Sequence, residues 1–166
     1  MRRVAILFLT IVWWHGVSVA KELSIDTRLA IAGDNRGEIE KAINVAPPLQ
    51  KEAMRFLVLH MPDDDLKTLS SEYLLENCRL AHEAISTAPW GDAVPREIFL
   101  NDVLPYASIN ERRDRWREDF RKRCLPLIKD VSSASRAAAK INQTLFADLG
   151  VRYSTKRKKA DQSPHE

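Results

Sequence analysis

A mainly helical, bundle-like domain is predicted by three observations. There are only five glycines in 166 residues. Few stretches alternate apolar and polar residues. Apolar side chains instead recur at three- and four-residue steps, the period of an amphipathic helix.

The first twenty residues stand apart from this domain. Arg2 and Arg3 precede an uncharged run of eleven residues, Val4 to Trp14, and Ser18-Val19-Ala20 follows. A basic start, a short apolar core and small residues at the −3 and −1 positions make a secretory leader cleaved after Ala20. The apolar run is well short of the ~20 residues that span a bilayer, so no stable membrane span is expected once the leader is gone. The protein is therefore expected to be periplasmic or extracellular. Removing two arginines and no acid lowers the formal net charge of +3 by two, leaving a nearly neutral chain with a local basic tail.

Residues 21–33 carry no assignment. Asn35 and Glu38 form a capping pair for a short helix through Val45, which Pro47-Pro48 ends. A helix over 49–61 places Leu49, Ala53, Phe56, Leu57 and Met61 on one stripe. Pro62 with Asp63, Asp64 and Asp65 then opens a long helix, the three acids favouring its positive end. They lack the alternate spacing and turn glycine of a calcium loop. Leu66, Leu69, Tyr73, Leu80 and Ala84 form one row of that helix, and Leu74, Cys78, Ala81 and Ile85 a second. So broad an apolar face predicts the central packing element, broken at Ala88-Pro89-Trp90-Gly91.

Residues 91–107, with Pro95 and Pro105, read as an irregular connection containing one helical turn. Ser108 and Glu111 form an S-x-x-E capping box for the next helix. That helix carries Trp116, Phe120 and Cys124 on one face and i,i+4 charge pairs on the others, and Pro126 closes it. Trp116 and Phe120 are expected to be buried against the long helix. Ser132 or Ser133 caps the last helix, whose buried side is Ala134, Ala137, Ala138, Ile141, Leu145 and Phe146, with Gly150 as its stop. Residues 151–154 read as a short strand. The acceptor triplet at Asn142 falls mid-helix and is read as chance.

Chemistry is sparse. Cys78 and Cys124 lie in no C-x-x-C or metal-ligand spacing. Export permits a disulfide between them, while the packing habit of cysteine favours buried free thiols. His60 and His82 read as structural, His15 falls in the leader and His165 in the tail. No nucleophile-elbow, phosphate-loop or zinc-protease motif occurs. No catalytic, metal or cofactor residue is therefore assigned. Lys156 to Lys159 have a single aromatic neighbour, Tyr153, too little for stacking on nucleic acid, and the run is read as a solvated loop.

Three phrases say more. "SSEYLLENCRLAHEA", "APWGDAVPREIFLNDVLPYASINERRDRWREDF" and "VRYSTKRKKADQSP", together with the lead-in "ASRAAAKINQTLFADLGVRYS", resemble the N-terminal part of bacterial exported transglutaminase-like proteins. Their superfamily shares its core with animal transglutaminases and papain-like cysteine enzymes. The resemblance implies a leader over 1–20, a helical N-terminal domain over 21–130, and over 131–166 the first helix and strand of an α+β core. The family's nucleophilic Cys, His and Asp would fall beyond Glu166. In such a triad a thiolate attacks a carboxamide carbonyl and a thioester forms. Neither Cys78 nor Cys124 stands at the nucleophile position, so the chain by itself is expected to be inert, and any protein or peptide substrate would be met through that core. The alternative is a stand-alone exported helical binding or adaptor module of the cell envelope. The sequence leaves substrate and oligomeric state open.

Overall fold

The computed structural model describes residues 23–108 and 111–148. Among them the chain is helical and carries no strand, in line with the predicted fold class. The strand expected at 151–154, the leader and the basic tail lie outside the described residues.

The unassigned stretch at the start of the domain is a helix, α1 (Ile25–Ala32). Ser24 caps it, its Oγ accepting the Thr27 amide at 3.2 Å. Gly33, with φ of +57°, ends it in the left-handed conformation that glycine adopts without strain. A 3-10 turn leads into α2 (Arg36–Val45), and Pro48 starts a second such turn before α3 (Lys51–His60). Leu49 therefore sits ahead of α3 and is 91% exposed rather than part of its buried stripe.

The long helix expected from Asp63 onward is two helices, α4 (Asp63–Thr68) and α5 (Ser71–Thr87). Leu69 turns extended, and Ser70 caps α5 by accepting the Tyr73 amide at 3.2 Å. The break is stabilised from α2's start. Asn35 Nδ2 donates to the carbonyls of Leu66 and Leu69 at 2.8 and 2.9 Å, and the Ser71 amide donates to Glu38 Oε2 at 2.6 Å. The pair read as a local cap thus spans to another turn of chain. Within α5 Leu74, Cys78, Leu80 and Ala81 are buried, whereas Ala84, expected in the same row as Leu80, is exposed. Gly91, which opens the 3-10 turn after α5, packs so closely on that helix's end that a Cβ there would overlap the Ile85 carbonyl.

Helix α6 (Arg96–Ile98) continues as a π turn (Phe99–Val103), more helix than the single turn expected. The Ser108–Glu111 contact forms, with the Ser108 amide donating to Glu111 Oε2 at 2.7 Å. It caps no helix, because α7 (Trp116–Ile128) begins five residues later. Pro126 lies inside α7 rather than closing it. Helix α8 (Ala134–Asp148) packs on α7.

Helices α1 to α5 enclose the core, in which Ile39, Met54, Val58, Leu66, Leu74, Cys78 and Leu104 are fully shielded. Arg28 of α1 is also buried, and it fastens α1 to the α3–α4 turn. Its Nε donates to Val58 O at 3.1 Å, Nη1 to Asp63 Oδ1 at 2.7 Å, and Nη2 to Met61 O. By contrast α7 has no buried residue, and Ala137 is the buried one among the described side chains of α8. Ala134 and Ala138, expected to face inward, are exposed. No helix among the described residues is long and apolar enough to cross a membrane.

Candidate functional site

The cysteines and histidines come first, since thiol chemistry would need them. Both thiols are free. Cys78 on α5 is fully shielded from solvent, and burial pushes its thiol up to about 12. His82 lies one turn on, its Nδ1 3.7 Å from Cys78 Sγ. The same nitrogen is 2.8 Å from the Cys78 carbonyl, so it carries the proton and donates it there. It has no lone pair left to receive the thiol proton. The contact is the reverse of a thiolate–imidazolium pair, in which a lowered thiol pKa makes the nucleophile. The His82 ring meets Phe99 edge-on, with centroids 4.7 Å apart. His60 rests on Phe56 at 4.3 Å. Cys124, expected to be buried, is half-buried on α7, its thiol also raised by burial and by the charge of Asp119.

Sequence reading missed two polar centres. In the first, Asp65 is 6% exposed and accepts from the Tyr106 hydroxyl at 2.7 Å and from Arg113 Nε and Nη2, each at 2.9 Å. Burial, followed by that hydrogen bond, lifts the Tyr106 phenol well above its ordinary range. The Asp65 bond in turn raises Arg113. The second centre satisfies four successive backbone carbonyls where the π turn after α6 ends. Arg117 Nη2 donates to Val103 O and Pro105 O, Asn77 Nδ2 to Leu104 O at 2.8 Å, and Trp116 Nε1 to Tyr106 O at 2.7 Å. Arg117 Nε also reaches Asn77 Oδ1, and its guanidinium lies 4.7 Å from the centre of the Trp116 ring. Carbonyls at a helix end have no partner of their own, which explains the concentration of donors. Among the described residues Arg117 bonds to neutral oxygens alone, and burial lowers it to about 10.

Beside this second centre a groove of about 420 Å³ runs between α5 and α7. Two i,i+4 rows of α7 form one wall. Trp116, Phe120, Cys124 and Ile128 make an apolar floor, and Arg117, Arg121, Leu125 and Lys129 make the lip. Leu80, Ile85 and Trp90 supply the opposite side. Trp116 and Phe120 pack against each other at 5.6 Å, and both are half-buried, not buried as expected. Leu125 is 42% exposed. The floor remains open because α7 is held to the rest of the protein by polar side chains. Arg115 reaches Glu72 and Glu76, and Arg121 reaches Glu83. Among the described residues no three His, Cys, Asp or Glu side chains gather as a metal site.

No protein-family model, curated protein or solved structure matches the chain. The transglutaminase-like resemblance therefore rests on its sequence phrases alone.

Proposed function

We propose that this helical domain is a binding module and that its working surface is the groove between α5 and α7. One observation carries the reading. A thirteen-residue helix bearing Trp116, Phe120, Leu125 and Ile128 buries none of them, and the apolar wall it presents opens to solvent. Apolar surface gathered in a groove and rimmed by charge is the usual form of a docking site. The described thiols support a binding role rather than catalysis, since Cys78 is shielded and its neighbouring imidazole already donates elsewhere.

The transglutaminase-like resemblance supplies a compatible setting, in which a helical domain ahead of a thiol acyl-transfer core holds the protein on which that core acts. What favours this second reading is where the resembling phrases meet. Asn77, Tyr106, Arg113, Trp116 and Arg117 all lie in those phrases, and their side chains converge on the two polar centres. On either reading the leader expected from the sequence would put the module in the exported compartment.

Photo-crosslinking from inside the cell tests the assignment. A benzophenone side chain at position 125 should give a discrete adduct, whereas the same group at Leu49, exposed and far from the groove in sequence, should not. Equal labelling from both positions, or none from position 125, would refute the groove as the working surface.

A further inference from the structure

We infer that the occupant of this groove is an amphipathic helix of a protein partner, with acidic residues along one flank. The inference rests on the binding-module reading and adds the partner's chemistry.

Length and charge carry it. The α7 wall is thirteen residues long, or about 20 Å at 1.5 Å per residue. Its floor repeats every four residues, from Trp116 through Phe120 and Cys124 to Ile128, which is the spacing a partner helix reads with its own apolar face. The lip repeats in the same way and is cationic at Arg121 and Lys129, while Arg117 at its inner end spends its donors on Asn77 and the carbonyls of Val103 and Pro105. Among the described residues Lys129 is paired with no carboxylate, and Arg121 shares Glu83. These two cations stand about 12 Å apart along the helix. A fatty acid or other single-headed amphiphile would use one of them and leave the other facing apolar surface. A helix with Glu or Asp about two turns apart on one flank matches both. Two copies of this chain meeting face to face would set the same cationic lips against each other. Nucleic acid would supply charge but no apolar face for the floor.

The test uses the full chain and two labelled peptides of about 15 residues, long enough to cover α7. Both carry the same Leu and Phe positions at helical spacing. One has Glu along the flank and the other Lys. Fluorescence anisotropy should show the Glu peptide binding at least about tenfold more tightly, with the difference shrinking as salt screens the lip. Leu125→Asp should abolish binding of the Glu peptide, and Lys129→Glu should narrow the preference. Neither side chain holds a hydrogen bond or ion pair among the described residues, so both variants should fold, which circular dichroism checks.

Equal binding of both peptides, lost in Leu125→Asp, would overturn the acidic partner and leave the groove standing. Binding of dodecanoate but of neither peptide, again lost in Leu125→Asp, would replace the helix with an amphiphile. If no probe responds to Leu125→Asp, the groove reading itself fails.

Discussion

Replacing Asp65 tests whether the first polar centre is a structural lock. The Asp65 carboxylate is 6% exposed and accepts four hydrogen bonds, one from Tyr106 and three from Arg113. In Asp65→Ala the Arg113 guanidinium, 20% exposed, loses the Asp65 carboxylate, and so does the Tyr106 hydroxyl. Breaking a buried ion pair by removing one partner costs about 3–5 kcal/mol. Arg113 keeps its bonds to the carbonyls of Ser108 and Glu111, and its residual exposure lets water reach it. The lower end applies, about 3 kcal/mol, and the orphaned phenol adds about 1 kcal/mol. Urea unfolding followed by far-UV circular dichroism should therefore show a loss of about 3–4 kcal/mol, a large part of the ~5–15 kcal/mol of a typical domain. Asp64→Ala, at a side chain 94% exposed, should change little. The double replacement Asp65→Leu with Arg113→Met should recover much of the loss, because no buried charge is then left alone. A loss under about 1 kcal/mol for Asp65→Ala would sink the argument and make the pair an ordinary solvent-screened contact.

Trp116→Ala should cost about 2 kcal/mol, roughly half the ~3–5 kcal/mol of a fully buried aromatic, because the ring is half-buried. Trp116→Phe should cost about 1 kcal/mol for the lost bond to Tyr106 O, and a loss above about 4 kcal/mol for the alanine variant would mean the groove is closed in solution. Cys78 makes the fold sensitive to alkali. Its folded pKa is raised to about 12 from 9.0, so its contribution is fully present below about pH 9 and is lost as pH rises towards 12. Denaturant melts should fall with pH across that window, and Cys78→Ala should flatten the slope; an unchanged slope would exclude this thiol as the cause. In native protein at pH 8 iodoacetamide should modify Cys124 first, with Cys78 reacting only on unfolding, and the opposite order would contradict the burial of Cys78. Export from the native start should yield Lys21 as the new N-terminus, and a cytosolic product that keeps Met1 would rule out the leader.

What could be read from the sequence follows the reach of the forces involved. Helical period and proline punctuation are local, so α2, α3 and α8 are legible to within a few residues, while α7 starts at Trp116, several residues later than its Ser108–Glu111 spacing suggests, and runs through Pro126. The Ser24–Thr27 spacing that caps α1 was equally local and is a signal that reading passed over. The break between α4 and α5 was not legible in the same way. Leu66 to Leu74 keeps an apolar rhythm through it, and the groups that stabilise the break, Asn35 and Glu38, lie some thirty residues away. Burial along α7 was misjudged because a helical stripe of Trp, Phe, Cys and Ile predicts an inward face, whereas which neighbour covers it is a tertiary matter. The Cys78–His82 contact was available from its i,i+4 spacing. Its polarity was not, since that depends on which nitrogen holds the proton.

The basic side chains of "NERRDRWREDFRKRC" connect these observations. Sequence spacing suggests surface charge pairs along one helix, and Lys122 with Glu118 and Arg123 with Asp119 do behave that way. Four others reach outward: Arg113 to Asp65 of α4, Arg115 and Arg121 to acids of α5, and Arg117 to Asn77 and the end of the π turn. An amphipathic helix ordinarily attaches to a core by burying its apolar face, and nothing of that face is then left to offer. Here guanidinium groups, with their several donors in a fixed fork, fasten the helix across polar surface instead. Attachment by arginine is what frees Trp116, Phe120 and Ile128 to line an open groove. Arg121 thus helps to hold α7 in place and also stands on the groove's lip. Substituting lysine for Arg115 or Arg121 would keep charge on α7 while losing the fork. Docking should then weaken through loosening of α7 even though the groove's apolar residues are untouched.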